Sequence, residues 1–312
     1  MALLPPDPLF CLRADMDHIH SVCFLEDGNV ANVLVAATDA GLVYFWDLET
    51  NRLKFKMSMG SSIQAIHVFG SDLLTQHKDG TITQWIPDED VHYSSKSSFQ
   101  CDGGFCKSFA YSNQLLVPMK DAVGILDVTT MELIRSLKVN KECLGQLMAV
   151  HRTTLNDGGV YVLGGFESGD VLLWNSEEGS VVGGIKLREC ITSLTYDKAM
   201  GRGVCVGASK MLQIFTIDKS LKMCLKTEIE ITNEGCNVVR LREDKKIFVT
   251  GGWDGRLRVF SWKSLRLLAV LDEHKLGVSD VQFSAFPAKG WNKKIIAASS
   301  GDGTISLWSL YN

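Results

Sequence analysis

One segment recurs along the chain, and this repeat limits the possible fold more than any other feature. Each copy has a short apolar run, a run of small residues, a turn that resembles Asp-Gly, and an alternating strand that often ends in Trp. The last copy is the clearest, with an apolar run over 278–283, small residues up to 300, the turn Asp302-Gly303 and a strand that ends at Trp308. The first copy ends in the same way at Trp46. Such self-similarity predicts one structural unit that is built several times.

The strand-ending position gives the period of the repeat. In successive copies it is filled by Trp46, Trp85, Leu126, Trp174, Phe215, Phe260 and Trp308. These positions are 39, 41, 48, 41, 45 and 48 residues apart, which is the length of a four-stranded propeller blade. The strands alternate as half-buried strands do, their turns carry Gly, Asp and Asn, and helical periodicity is not sustained. Seven copies therefore predict an all-β, seven-bladed β-propeller.

The two ends of the chain must meet for such a ring to close. The last copy stops at Leu310-Tyr311-Asn312, just after its third strand, and the segment from Leu9 to Arg13 is a strand that belongs to no copy. If this N-terminal strand pairs beside 305–310 as the outermost strand of the last blade, it covers an edge that would invite aggregation. We therefore expect a single domain over residues 1–312.

Composition and cysteine placement limit the cellular compartment and the kinds of partner to be expected. The chain is 46% hydrophobic and 22% charged with six prolines, which is typical of an ordered globular protein. A formal charge of −4 without a cluster of Lys or Arg argues against nucleic acid as a partner. The nine cysteines lie mostly in apolar runs, as reduced thiols do. With no signal-peptide pattern and no apolar run near ~20 residues, we expect a cytoplasmic or nuclear protein without a membrane partner.

The Trp46-Asp47 pair, the Asp-Gly turns and the pattern that ends at Trp308 resemble WD repeats over the whole chain. In such blades a His, a Ser or Thr, the turn Asp and the Trp form a buried hydrogen-bonded relay. The resemblance assigns these roles in the last blade to His274, Ser299 or Ser300, Asp302 and Trp308. A catalytic His-Asp-Ser interpretation lacks an oxyanion-hole loop and a nucleophile turn, and phosphate loops and metal signatures are not found. We therefore expect a protein that is not an enzyme, with no catalytic residue, cofactor or metal.

Three segments carry a narrower resemblance. They are Pro5-Pro-Asp-Pro8 with the strand after it, the run from Gly252 to Leu271, and 305–311. These resemble the G-protein beta-subunit-like protein 1 family, which is related to the WD-repeat component of the fungal ASTRA assembly. The resemblance implies an adaptor, monomeric within a hetero-complex, in the co-chaperone machinery that stabilises newly made phosphatidylinositol-kinase-related protein kinases. The G-protein beta subunit has a long N-terminal helix for its gamma partner, whereas this sequence starts almost at the closing strand, so no gamma subunit is expected.

The repeat also predicts which side chains surround the mouth of the channel. Residues that flank the first apolar position of each innermost strand are expected on the narrower face, together with the turns between second and third strands. The partner-binding candidates from these positions are His18, His20, Gln64, Phe105, Lys107, Phe166, Asn237 and Trp253. A large aromatic on a turn tip is unusual unless it packs locally or awaits a partner, and aromatic anchors dominate interface energies. Trp291, in the loop 287–294, is expected on the opposite face as an anchor for a second partner.

Other interpretations of these residues remain open at this point. Trp253 would serve equally to cover its neighbouring blade, and His18 with His20 would form a metal pair only if a third ligand converged. The protein could also be a reader of a peptide or modified protein tail at the channel mouth, or a G-protein-beta-like signalling scaffold. A reader of modified tails would need an aromatic cage with an acidic residue. Phe105, Phe166 and Trp253 come from different blades, which disfavours a cage.

Overall fold

The computed structural model describes residues 6–88, 92–139 and 142–311, and these residues form strands without any helix. The strands associate in seven four-stranded sheets in which all neighbours are antiparallel. The prediction of an all-β, seven-bladed propeller is confirmed. The first five residues and Asn312, which bound the expected domain, lie outside the described residues.

The strands are numbered in chain order. The N-terminal strand is β1 (Phe10–Arg13), and the first three blades consist of β2 (Ile19–Asp27), β3 (Val30–Thr38), β4 (Leu42–Asp47) and β5 (Arg52–Ser58); β6 (Ile63–Phe69), β7 (Asp72–His77), β8 (Thr81–Pro87) and β9 (Tyr93–Gln100); and β10 (Phe109–Tyr111), β11 (Gln114–Met119), β12 (Ala122–Asp127) and β13 (Glu132–Lys138).

The remaining four blades follow the same order. They consist of β14 (Leu147–Thr154), β15 (Val160–Phe166), β16 (Asp170–Asn175) and β17 (Val181–Lys186); β18 (Ile191–Asp197), β19 (Arg202–Gly207), β20 (Met211–Ile217) and β21 (Met223–Glu230); β22 (Cys236–Leu241), β23 (Ile247–Gly252), β24 (Leu257–Ser261) and β25 (Leu267–Leu271); and β26 (Val278–Phe283), β27 (Ile296–Ser300) and β28 (Thr304–Trp308), to which β1 is added.

The hydrophobic core lies between the blades. Seven buried clusters are found among the described residues, and each joins two consecutive blades, the last one joining blade 7 to blade 1. Each strand-ending residue of the repeat lies on the third strand of its blade and packs toward the preceding blade, as Trp174 does against blade 3 and Trp308 against blade 6. The repeat therefore places a large apolar side chain at the same point of every interface between blades.

A bulge accompanies this position. The pairing between the third and fourth strands shifts its register directly before the strand-ending residue in blades 1 to 6. A β-bulge bends a strand and increases its twist. The recurring Trp, Phe or Leu therefore marks the place where each blade bends over its neighbour.

The ring is closed by the N-terminal strand. β1 pairs with β28 in antiparallel register, with Phe10 opposite Leu307 and Arg13 opposite Thr304, and the amide of Leu9 donates to the carbonyl of Leu307 at 2.7 Å. Leu12 is fully buried in the cluster between blades 7 and 1. The predicted closure is confirmed, with the paired strand beginning at Phe10.

Leu12 provides a direct test of the closing strand. We expect Leu12→Ala to lower the free energy of unfolding by about 2–5 kcal/mol, because it leaves a cavity in the cluster that joins the two ends of the ring. The measurement is equilibrium denaturation followed by circular dichroism. Phe10→Ala is the matched control on the same strand, since Phe10 is 41% exposed, and it should cost much less. Equal losses for the two variants would contradict the packing of β1.

Candidate functional site

The innermost strands share a second bulge, and it lies at the mouth of the channel. We use narrow face for the end of the ring at which the innermost strands begin, and wide face for the end at which they finish. In six blades the pairing of the first two strands skips one residue near the start of the inner strand. The skipped residues are His20, Gln64, Met148, Thr192, Asn237 and Ser279. Because a bulge re-aims a side chain, all six line one cavity at the narrow face.

This narrow-face cavity has a volume of about 570 Å³. Seven of the nine candidates named from the sequence line it, which are His18, His20, Gln64, Phe105, Lys107, Asn237 and Trp253. Lys78, Met148 and Arg240 line it as well and were missed. Met148 follows Leu147, the first apolar position of its inner strand, so the rule that selected the other residues would have found it. Arg240 lies four residues after Cys236, the first residue of its strand, so that rule does not select it.

Two aromatic side chains at the rim of this cavity are exposed. Phe105 is 72% exposed and Trp253 is 47% exposed. The indole nitrogen of Trp253 donates to Oδ1 of Asn237 at 2.7 Å, and a Cβ atom added to Gly235 would lie 2.0 Å from the indole ring. Trp253 is thus held in place by its own blade while nearly half of its surface faces solvent. Leu276, which is also exposed, belongs to the next loop on the same face.

The two histidines at the mouth are engaged with their neighbours. Their rings stack with centroids 4.2 Å apart, His18 bonds to the hydroxyl of Ser279 and His20 to the carboxylate of Asp39, each at 2.9 Å. Burial lowers the pKa of His20 to about 4, against the opposing effect of Asp39, and it lowers the pKa of His18. Both rings are therefore neutral near pH 7. The described residues contain no group of three or more His, Cys, Asp or Glu placed to hold a metal.

Lys107 forms the floor of the narrow-face cavity. Its Nζ donates to the carbonyls of His20 and Ser279, at 2.5 and 2.9 Å, and so reaches from blade 3 to blades 1 and 7. Asp280 is buried nearby, accepts from Ser21 and Val22, and lies 3.4 Å from Arg240. Burial lowers the pKa of the Lys107 ammonium, and Asp280 opposes that effect. Lys107 is therefore used inside the ring rather than offered at its surface.

Two of the aromatic candidates lie elsewhere. Phe166 was predicted as an exposed turn residue, which is wrong, because β15 continues through it and its side chain is 3% exposed with its ring centroid 6.3 Å from that of Trp174. Trp291 belongs to the wide-face loop between β26 and β27 and packs half-buried against the cluster between blades 7 and 1. Its neighbour Gly290 donates to the carbonyl of Leu48 at 3.0 Å, so this loop joins the two blades.

The relay of the last blade uses a different hydroxyl from the one predicted. The indole of Trp308 donates to Oγ of Ser306, which lies 2.8 Å from Nε2 of His274. The other ring nitrogen is 3.1 Å from the hydroxyl of Thr304, which donates to Asp302 at 2.6 Å. Every group is satisfied when the hydrogen bonds are donated in one direction along the relay. Trp308 donates to Ser306, Ser306 to His274, His274 to Thr304, and Thr304 to Asp302. Burial lowers the pKa of His274 although Asp302 opposes it, so the ring is neutral and carries its proton on Nδ1.

Ser299 and Ser300 stand outside this relay. The hydroxyl of Ser300 donates to the carbonyl of Leu276 at 2.9 Å, and the buried hydroxyl of Ser299 has no hydrogen-bond partner within the described residues. Both lie on the second strand, but the indole of Trp308 turns back onto its own strand, where Ser306 lies two residues before it.

A second relay, which the sequence analysis missed, stabilises blade 2. The indole of Trp85 donates to the hydroxyl of Thr75 at 2.9 Å, and that hydroxyl lies 3.0 Å from Nε2 of His77. The Nδ1 atom of His77 is 3.0 Å from the carbonyl of Ser61. This relay could have been predicted from the pattern Thr-x-His on the second strand followed by Trp on the third strand. The His comes from the strand here and not from the preceding loop.

Seven four-stranded blades, Trp-hydroxyl-His relays and a closing N-terminal strand define a WD-repeat β-propeller. The model of the WD domain, G-beta repeat, matches residues 265–309. Over 324 residues the chain is 32% identical to guanine nucleotide-binding protein subunit beta-like protein 1 of Mus musculus, covering 98% of this chain and 97% of the mouse protein. The chain therefore belongs to the guanine nucleotide-binding protein subunit beta-like protein 1 family.

Fungal proteins are similar as well. ASTRA-associated protein 1 of Schizosaccharomyces japonicus is 26% identical over 377 residues, which cover 99% of this chain and all of that protein. ASTRA-associated protein 1 of Schizosaccharomyces pombe is 44% identical over 73 residues, which cover 23% of this chain and 18% of that protein. A WD-repeat propeller with these relatives is a fold suited to protein interaction.

Substitution of Ser306 and of Ser299 distinguishes the observed relay from the predicted one. We expect Ser306→Ala to lower the free energy of unfolding by about 1–3 kcal/mol, because it leaves buried groups of Trp308 and His274 without a partner. Ser299→Ala is the matched control, since it removes a buried hydroxyl that has no hydrogen-bond partner among the described residues, and it should be neutral or slightly stabilising. Thermal and urea denaturation measure both. The relay is refuted if Ser299→Ala is the more damaging change.

Proposed function

We propose that the protein is a non-enzymatic interaction scaffold that acts as an adaptor in co-chaperone-assisted maturation of phosphatidylinositol-kinase-related protein kinases. The observation that carries the scaffold part is the narrow-face cavity with Phe105 and Trp253 exposed at its rim. The family resemblance of the sequence supports the kinase part. The name ASTRA-associated protein 1, borne by fungal relatives, supports membership of a larger assembly.

The narrow face has the anatomy of a protein-binding surface. Aromatic anchors surrounded by polar groups dominate the energy of most protein interfaces. Trp253 is fixed by Asn237 and by its contact with Gly235, so little side-chain freedom is lost when a partner covers it. The neutral histidines and the polar bulge residues around the mouth provide hydrogen-bonding groups without a large cost of removing charge from water. A rigid ring with this face fits a docking role.

The chemistry of the cavity favours binding over catalysis. The described residues that line this cavity include no cysteine. Elsewhere in the chain, burial raises the pKa of Cys101 to about 12 and of Cys236 to about 11, whereas a nucleophilic cysteine needs a lowered thiol pKa. The two histidines at the mouth already use Nε2 in bonds to Ser279 and Asp39. These observations support a scaffold that offers its face to partners.

The alternative of a reader for modified tails finds less support. An aromatic cage for a cationic tail needs a free acidic residue beside its rings. The carboxylate that lines this cavity is Asp280, which is buried, accepts from Ser21 and Val22, and lies 3.4 Å from Arg240. Phe166, one of the three rings that a cage would use, is buried elsewhere.

Truncation of Trp253 tests the proposed docking surface. We expect Trp253→Ala to weaken partner binding by about 2 kcal/mol or more, about thirtyfold, because a rigid aromatic anchor is lost. The measurement is affinity purification of the tagged full chain from cells, with quantitative mass spectrometry of ASTRA components, co-chaperones and phosphatidylinositol-kinase-related kinases. Circular dichroism checks that the variant is folded.

Two further variants make this test decisive. Leu225→Ala is the matched control, because Leu225 is 45% exposed on the outer strand β21, away from the cavity, and it should leave recovery unchanged. Phe105→Ala removes a side chain that is 72% exposed, so it reports on the same surface even if Trp253→Ala fails to fold. Wild-type recovery with Phe105→Ala and Trp253→Ala would refute docking through the narrow face.

A further inference from the structure

The wide face carries a second cavity that the proposed docking role does not use. Its volume is about 790 Å³, and its lining comes from the innermost strands and the turns that follow them, mostly in blades 3 to 6, with His67 of blade 2 and Gln282 of blade 7. Ser108, Phe109, Leu194 and Arg240 line both this cavity and the one at the narrow face. The two cavities are therefore the two ends of one channel along the ring axis.

We propose that the wide-face cavity is a binding site for a compact polyphosphate, a small soluble molecule that carries several phosphate groups. Among the described residues, four cationic side chains line it, Arg152, Lys198, Arg240 and Lys245, against one carboxylate, Asp197. That carboxylate is buried and already accepts from the indole of Trp262 at 2.7 Å and from the amide of Ala199 at 3.0 Å. The excess of positive charge is local, since the whole chain has a formal charge of −4.

Three of these cations are available to a ligand, and the fourth, Arg240, is paired with buried Asp280. Lys198 and Lys245 are exposed, and in the part of the chain that the structure describes neither has a carboxylate within ion-pair distance. The guanidinium of Arg152 lies 3.6 Å from the ring centroid of Tyr111. Contact with a ring uses the face of a guanidinium and leaves its N–H edge free to donate. Arg240 faces the channel from its middle and lies 3.4 Å from Asp280.

Two histidines that line the cavity have lowered pKa values, and nearby cations contribute to the lowering. The pKa of His151 is lowered to about 3, chiefly by burial, with contributions from Arg240 and Lys245. Burial also lowers the pKa of His67 to about 4, with Asp280 opposing and Arg240 and Lys107 contributing. Both rings are neutral near pH 7 and supply polar nitrogen atoms rather than charge. The positive charge of this cavity is therefore carried by the four cationic side chains of its lining and not by the histidines.

The size of the cavity and its charge together select the ligand class. Small-molecule sites usually enclose about 300–1,000 Å³, and this cavity lies in that range. Three available cations in that volume, beside the paired Arg240, need several negative charges on a compact body. A phosphate group carries up to two charges and accepts bidentate bonds from Arg as well as point contacts from Lys. Carboxylates would need a longer molecule to deliver the same charge.

Isothermal titration calorimetry with inositol hexakisphosphate as the probe tests this site on the full chain. We expect saturable binding to wild type, affinity at least tenfold lower for Lys198→Gln/Lys245→Gln, and no heat with uncharged myo-inositol. Lys219→Gln/Lys263→Gln is the matched control, because these exposed lysines occupy turns between third and fourth strands on the same face and do not line the cavity. The control should bind within twofold of wild type.

Several results would overturn the site. They are the absence of binding to wild type, an equal loss in the two double variants, and wild-type affinity in Lys198→Gln/Lys245→Gln. Binding of a hexaglutamate peptide as tight as that of inositol hexakisphosphate would overturn the assignment to a compact polyphosphate. Trp253→Ala should bind the probe like wild type, so the outcome is independent of docking at the narrow face.

Discussion

The pairing of β1 with β28 is the constraint on which the rest of the structure depends. Each hydrophobic cluster lies between two blades, so the cluster between blades 7 and 1 exists only when the two ends of the chain meet. One further contact ties the end of blade 7 to blade 6, and another holds the seam between blades 7 and 1. Arg242 of blade 6 donates to the carbonyls of Leu310 and Tyr311, each at 2.8 Å. The loop that contains Trp291 bonds to the backbone of blade 1.

Closure also creates both mouths of the channel. The bulge residues of the narrow face and the cations of the wide face come from different blades, and each alone would be an ordinary side chain of a strand or turn. Lys107 illustrates the dependence, because its ammonium from blade 3 is satisfied by carbonyls of blades 1 and 7. The cations of the wide face likewise come from blades 4, 5 and 6. Binding at either end therefore requires an intact ring. A mutation in the interface between blades 7 and 1 would weaken binding because it lowers the stability of the ring.

The sequence predicted the parts of the fold that repeat. Blade number follows from the spacing of the strand-ending residues. Six mouth residues follow from their place beside the first apolar position, and Trp253 follows from its turn between the second and third strands. It did not predict features that depend on local register or on the ring as a whole. Whether the indole of Trp308 meets Ser306 or Ser299 depends on which way it turns. Phe166 is buried because β15 runs one residue further than its turn suggested. The basic wide mouth joins residues that are far apart in sequence, so no local pattern marks it.

Hydrogen exchange of residues 304–308 tests closure of the ring most directly. In the closed ring β28 is paired on both sides, so its amides should exchange as slowly as those of residues 257–261, the third strand of blade 6, which β25 covers. Exchange of paired core strands requires extensive unfolding. Mass spectrometry of the two peptides under native conditions compares them in one experiment. Equal protection is the result that a closed seven-bladed ring predicts. Much faster exchange over 304–308, as at an open sheet edge, would contradict it.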